Sequence, residues 1–240
     1  MGSDLLIIVP SRGRPSSIAR LLEAVHRLRQ LDTHVVVGTD ADDETLPQYE
    51  KVFEKAAGDG DWLVTQERLG LAEYTNYLAM MYAERYPYLA SFGDDHLPVT
   101  LGFDRLLCRG IEDMGGTGFT YPWDGQREDI PQAVVMSSNI VRGLNWMCLP
   151  GLQHYYVDNV WADLGRQSGC IRHLRTVLVE HVHPGTGKAK IDDTYSAAAE
   201  KLDSDRDAYE TWRREELKPA CNIIQALRET PAVVGLNSNR

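Results

Sequence analysis

Ser91-Phe92-Gly93-Asp94-Asp95-His96 sets two acids and a histidine at the end of a hydrophobic, strand-like segment at residues 88–92. Adjacent carboxylates repel one another and lose hydration when partly buried, so they usually keep a cation or a donor network as company. Hard carboxylate oxygens suit Mg²⁺ or Mn²⁺, and an imidazole shifts the choice toward Mn²⁺. The competing reading is a solvated acidic turn whose aspartate caps the next helix. Glu180-His181-Val182-His183-Pro184 adds weight to the metal. Alternation along an extended strand puts His181 and His183 on one face. By itself that pair reads better as two partly buried, hydrogen-bonded imidazoles, and the acids of the 91–96 stretch change that weighting.

Three further stretches have chemical potential. In Pro10-Ser11-Arg12-Gly13-Arg14-Pro15 the glycine permits an unusual backbone, and the arginines sit where the next helix presents free N–H groups. An anion site and a plain strand-to-helix turn both fit. Thr39-Asp40-Ala41-Asp42-Asp43 offers carboxylates for a ribose or a base N–H, or simply a capping cluster. Asp158 lies in Tyr155-Tyr156-Val157-Asp158-Asn159-Val160-Trp161, where apolar surroundings raise a carboxyl pKa toward that of a general base. Its alternative is a helix N-cap. The chain has no G-x-G-x-x-G and no lysine-containing phosphate loop, which counts against a dinucleotide enzyme or a P-loop ATPase.

The elements that must position these residues follow from hydrophobic pattern. Asp4-Leu5-Leu6-Ile7-Ile8-Val9-Pro10 reads as a strand buried on both faces. A helix is predicted from Ser16 or Ser17, carrying Ile18, Leu21, Leu22, Val25 and Leu28 at helical spacing. Strands around residues 35–38, 62–65 and 88–92 alternate with helices over 46–57 and 71–86. This pattern predicts an α/β fold with an open, mostly parallel, Rossmann-like sheet and helices on both faces, with ligands at the carboxyl ends of the strands. Beyond residue 100, helices are predicted over 102–114 and 155–164, strands near 119–121, 133–136 and 171–182, and a charged, Ala-rich helical extension over 193–227.

The 240 residues are 43% hydrophobic and 25% charged, enough for a sizeable core without disulfides. Cys108, Cys148, Cys170 and Cys221 are scattered, with no C-x-x-C pair, so reduced thiols in a cytoplasmic setting are expected. The longest apolar runs fall short of a membrane span, and no signal peptide or myristoylation signal opens the chain. A net charge of −10 disfavours bulk attraction to polyanions but leaves room for a local basic groove, for which Arg142, Arg166, Arg172 and Arg175 are candidates.

Taken in order, Pro10-Ser11-Arg12, Asp40, Leu69-Gly70-Leu71 with Asn76, the Asp-Asp motif, Asp158 and a late histidine resemble the nucleotide-sugar-dependent glycosyltransferases of the GT-A fold, family-two-like in the first half. The resemblance covers roughly residues 4–184. It implies a catalytic domain over 1–192, with a nucleotide-binding half (1–100) and an acceptor half (101–192), then a helical extension (193–230) and a loose tail (231–240). It places Pro10, Ser11, Arg12 and Asp40 on the nucleotide and Arg68 near the uracil or phosphates. It implies Mn²⁺ or Mg²⁺ bridging the diphosphate. This chain departs from the family's D-x-D and leaves two registers open. In one, Asp95 is the principal ligand and Asp94 serves the nucleotide-sugar; in the other, Asp94 and His96 form a D-x-H variant. His181 or His183 would complete the metal shell, and residues 136–139 would lie near the donor sugar. Residues 185–190, with Lys188, would cover the diphosphate, and Asp158 would be the base of an inverting transfer. The compactness is similar to that of small phage-encoded glycosyltransferases. The acceptor is left open among a small molecule, a glycan, a protein and a modified DNA base, as is the oligomeric state. A nucleotidyltransferase and a catalytically inactive carbohydrate- or nucleotide-binding module are the rival readings.

Overall fold

The computed structural model describes residues 4–182 and 201–230. Four strands, β1 (Leu5–Pro10), β2 (Thr33–Asp40), β3 (Trp62–Gln66) and β4 (Tyr88–Ser91), alternate with helices α1 (Pro15–Leu28), α2 (Leu46–Ala56) and α3 (Leu71–Tyr82). They pair in parallel in the order β3-β2-β1-β4. The second half adds β5 (His96–Pro98), α4 (Phe103–Glu112), β6 (Phe119–Trp123), β7 (Val134–Ser137), α5 (Ser138–Leu144), α6 (Val157–Gln167) and β8 (Ile171–His181). Two helices, α7 (Leu202–Glu215) and α8 (Leu217–Glu229), follow.

The sheet continues β4-β7-β6-β8-β5. Here β7 runs antiparallel to β4 and β6, while β6 and β8 are parallel. The fold class is the α/β sheet with helices on both faces that the sequence predicts, but parallel pairing dominates only in its first half. That half can be parallel because β1, β2 and β3 are each followed by a crossover helix; β7 follows β6 with no helix between them, reverses direction and lies antiparallel between β6 and β4.

Strand alternation divides the core. Leu5, Ile7 and Val9 pack with Ile18, Leu21, Leu22, Val25, Phe103 and Leu107 on the face of α1 and α4. Leu6 and Ile8 pack with Leu78, Ile140, Trp161, Trp212 and Ile224 on the face of α3, α5, α6, α7 and α8. Each such side chain taken fully from water contributes roughly 1.5–3 kcal/mol. The C-terminal helices therefore share the second core. All four cysteines are buried and unbridged.

Helix boundaries show two local corrections. α1 begins at Pro15 rather than at a serine cap, because proline's fixed φ and missing N–H suit the first helical position. The helix carrying Asp158 begins at Val157, after Tyr156 adopts a left-handed φ of 66°. Asp158 is therefore a first-turn residue and not the N-cap.

Candidate metal and nucleotide site

The loops that follow β1, β2 and β4 converge at the carboxyl end of the parallel strands, and their side chains bond to one another. Ser11 Oγ donates to Asp94 Oδ2 at 2.7 Å and lies 2.8 Å from the Tyr49 hydroxyl. Having given its only proton to the carboxylate, Ser11 accepts from Tyr49. Tyr49 in turn accepts from the Arg14 N–H at 2.8 Å. Arg14 Nη1 reaches Asp94 Oδ1 at 3.1 Å. Burial pushes the Asp94 carboxyl up to about 6, with Arg14 opposing the shift and Asp95 adding to it.

Arg12 is held on the β2 loop. Its Nη1 lies 2.9 Å from Asp40 Oδ2 and 2.5 Å from Asp42 Oδ1. The bond from Arg12 holds the exposed Asp42 carboxyl below its ordinary range. Asp40 Oδ1 also accepts from the Leu69 N–H at 3.3 Å, which links the loop after β3 to the same cluster. Asp43 fixes the turn before α2, accepting from Thr45 N–H, Thr45 Oγ1 and the Gly13 N–H, while Thr45 itself is the N-cap. The Asp40–Asp43 stretch thus divides its work: one acid ties the turn, and two hold Arg12. Gly13 has the positive φ (72°) that its place in the turn calls for. The Gly13 and Arg14 amides are engaged by Asp43 and Tyr49. Pro10 closes β1 opposite Gly38. Arg68 is mostly exposed, 3.8 Å from Asp42.

Asp95 turns the other way. Its Oδ1 lies 3.6 Å from His96 Nδ1 and its Oδ2 lies 3.3 Å from His181 Nε2. The rings of His96 and His181 stack at 4.3 Å between centroids, 21° from parallel. Backbone pairing explains the meeting, because the three-residue β5 runs antiparallel to the end of β8 with His96 opposite His181. A bond from Val182 N–H to the Asp95 carbonyl (2.8 Å) continues the pairing.

One ligand atom from each of Asp95, His96 and His181 fits within 4.8 Å of the others. One carboxylate and two imidazoles are a donor set that Mn²⁺ accepts. Gly93 keeps the cradle open, since a Cβ there would lie 2.5 Å from Asp95 Oδ1 and 2.8 Å from His96 Nδ1. The residues present therefore fit a divalent cation. Of the two registers, this geometry gathers Asp95 and His96 and leaves Asp94 with Ser11 and Arg14. His183, Lys188 and residues 185–190 lie outside the described residues.

Asp158 is partly buried, and its Oδ1 accepts the N–H of Asn159 at 2.9 Å. Burial raises its carboxyl above the ordinary carboxylate range, against the pull of the Asn159 N–H and of Arg127. The loop before it is fixed by two residues that sequence reasoning did not single out for this role. Fully buried Asp205 of α7 accepts the N–H groups of Gln153, His154 and Tyr155 at 3.0, 2.9 and 2.8 Å. Tyr209, one turn on, stacks on Tyr156 at 5.0 Å. Asn76, part of the sequence resemblance, accepts from the Met147 and Cys148 N–H groups and donates to the Cys148 carbonyl.

The arginines considered for a basic groove have local partners. Arg142 bonds the Ala83 carbonyl, Arg166 the Asp129 carbonyl, Arg172 Asp113 at 3.3 Å, and Arg175 Glu128 at 2.7 Å. Among the described residues no helix is long and apolar enough to cross a membrane.

No family model matches the chain, and no curated protein matches its sequence. Solved structures do. Mannosyltransferase PcManGT from Pyrobaculum calidifontis, in complex with GDP-Man and Mn²⁺, superposes with a TM-score of 0.61 over 94% of this chain and 74% of its own, at 13% identity. The fold is GT-A. S. aureus TarS 1–349 gives a TM-score of 0.57 at 10% identity, over 74% of this chain; the match spans only 60% of the TarS fragment. Glucosyl-3-phosphoglycerate synthase from Mycobacterium tuberculosis, in complex with Mn²⁺, UDP and glucosyl-3-phosphoglycerate, gives 0.55 at 10% identity, over 75% and 71%.

Proposed function

We propose that this protein is a metal-dependent glycosyltransferase that moves a sugar from a nucleoside-diphosphate sugar, with a UDP-sugar favoured, to an acceptor hydroxyl. The observation that carries the reading is the Asp95–His96–His181 cluster at the carboxyl end of a GT-A sheet. Two neighbours of that fold carry Mn²⁺ with a nucleotide or nucleotide-sugar in their solved complexes. The sequence resemblance to family-two-like and small phage enzymes points the same way.

Asp95, His96 and His181 would hold Mn²⁺ or Mg²⁺, with His183 as a further candidate. The bound ion supplies Lewis-acid stabilisation of the diphosphate leaving group. Pro10, Ser11, Arg12, Asp40, Arg68 and Asp94 form the nucleotide side, with Lys188 added near the phosphates. The Arg12–Asp40 pair shapes that wall more than it supplies free charge, since Arg12 is already shared between two carboxylates. Asp158 takes the acceptor proton as the hydroxyl attacks the anomeric carbon, which inverts the configuration. Burial suits it to this task, because a base needs a pKa nearer working pH than an exposed aspartate has.

The local pairing of Arg142, Arg166, Arg172 and Arg175 and the net charge of −10 weaken the modified DNA base and favour a small molecule, glycan or protein hydroxyl. A cytoplasmic setting and a catalytic domain of 1–192 with a helical extension complete the reading. The nucleotidyltransferase alternative would use the loop after β1 for phosphates, but the Gly13 and Arg14 amides there are engaged internally.

The test is calorimetric titration and thermal shift with UDP, GDP and UDP-sugars, each with and without Mn²⁺. Metal-dependent binding of one nucleotide, lost in Asp95→Ala, is expected, together with slow release of UDP from one UDP-sugar. Nucleotide binding without any turnover would leave the inactive module in front. No binding at all would sink both.

A further inference from the structure

We propose that Gln132 is a positioning residue for metal capture, acting through His181; this rests on the metal reading above. His181 is gripped by the loop between β6 and β7. Its N–H donates to the Asp124 carbonyl at 3.0 Å, and its own carbonyl accepts from Gln126 Nε2 at 3.1 Å. Gln132 Oε1 lies 3.1 Å from the ring's Nδ1. The loop is itself turned by Asp124 Oδ1, which accepts the N–H groups of Gln126 and Arg127 at 2.6 and 2.7 Å.

An amide oxygen accepts and cannot donate, so Nδ1 carries the proton in this contact. Nε2 is then left with its lone pair, 3.3 Å from Asp95 Oδ2 and on the side where the cluster closes. The competing state is evident in the same geometry. A carboxylate at that distance attracts a proton on Nε2, and an imidazole protonated there offers no lone pair to a cation. Gln132 opposes that state and fixes the ring's rotation together with its tautomer, as partners of ligating histidines generally do. Asp124 and Gln126 hold the His181 backbone, whereas Gln132 addresses its chemistry.

The test compares two variants by Mn²⁺ titration, calorimetric or by electron paramagnetic resonance, with nitrogen-detected NMR of the His181 tautomer in metal-free protein. Gln132→Leu, which has no acceptor, is expected to weaken Mn²⁺ binding 10–100-fold. Gln132→Glu keeps the acceptor and is expected to bind within threefold of wild type, or tighter. A purely structural role would weaken both variants alike. Wild-type affinity in Gln132→Leu, or a wild-type His181 protonated at Nε2, overturns the role of Gln132 while leaving the metal site standing. Wild-type protein that binds no Mn²⁺, as Asp95→Ala should not, overturns the metal reading and this role with it. If Gln132→Leu does not fold, the wild-type tautomer and Gln132→Glu decide.

Discussion

The two sides of the candidate site are held by opposite means. The proposed nucleotide side is built from loops that directly follow β1, β2 and β4, and their side chains bond to each other: Ser11 and Arg14 with Asp94, Arg12 with Asp40 and Asp42. The other side is positioned from far along the chain. His181 takes its bonds from residues 124–132, and the loop before Asp158 hangs on Asp205. Parallel α/β topology delivers the first arrangement, because every crossover returns the chain to the same sheet edge. The second has to be imposed by individual buried contacts, so single substitutions should separate the two sides.

The largest effect is expected at Asp158. Asp158→Asn should lower turnover by about 10²–10⁴-fold, as loss of a general base does, with Mn²⁺ and nucleotide binding unchanged. The rate against pH should have its acid limb above the ordinary carboxylate range. Burial raises this carboxyl, and only its charged form accepts the proton. The same shift has a stability consequence of definite sign. Asp158 contributes stability below its unfolded pKa, and that contribution is lost as pH rises through the raised folded value. Urea melts of wild type and Asp158→Asn should therefore converge at low pH and diverge in the variant's favour above it. A variant that turns over like wild type would remove Asp158 from the acceptor side.

Next comes Asp205→Ala, which strips the acceptor from three N–H groups at a buried site. A cost of about 3–4 kcal/mol is expected by urea denaturation, since each stranded donor loses roughly 1 kcal/mol or more. UDP affinity should change little. If UDP affinity falls as far as stability does, the two sides are one cooperative unit and do not separate. Gly93→Ala should do the reverse. Its Cβ meets the ends of the Asp95 and His96 side chains and no backbone, so about 1 kcal/mol of stability is lost. The displaced carboxylate and imidazole should lower Mn²⁺ affinity about tenfold, a loss of roughly 1.4 kcal/mol.

This contrast also decides what could be read from sequence. The first four strands and the polar loops after them were legible because short apolar runs, each followed by a charged or glycine-containing turn, admit few other foldings. β5 was not. His96, Leu97 and Pro98 are too few to show a period, and the strand exists only because the end of β8 pairs with it. The meeting of His96 and His181 was therefore an inference from ligand chemistry and not from pattern. Asp205 was illegible for another reason: it is one of Asp203, Asp205 and Asp207 in a charged helix. Only the packing of α7 turns it inward, to full burial. The mixed pairing beyond β4 followed the same rule, since it depends on β7 lying back along β4.

The smallest effect sharpens the nucleotide side. Arg68 is 62% exposed and lies 3.8 Å from Asp42, itself 54% exposed, so the pair is solvent-screened. Such contacts contribute about 0–1 kcal/mol, and Arg68→Ala should leave stability within about 0.5 kcal/mol of wild type. Arg12, by contrast, is bound to two carboxylates, one of them buried, and cannot turn to a ligand without stripping buried Asp40 of its ion pair. Of Arg12 and Arg68, the one whose guanidinium is not held by a buried carboxylate is Arg68, and on the proposed reading it is the one that can meet a nucleotide. Titration of UDP with Mn²⁺ should show Arg68→Ala weakened about fivefold, roughly 1 kcal/mol, with a slope against salt shallower than that of wild type. If the variant binds UDP as wild type does, the nucleotide side is recognised through its preformed walls alone, and the free arginine is a solvated surface charge.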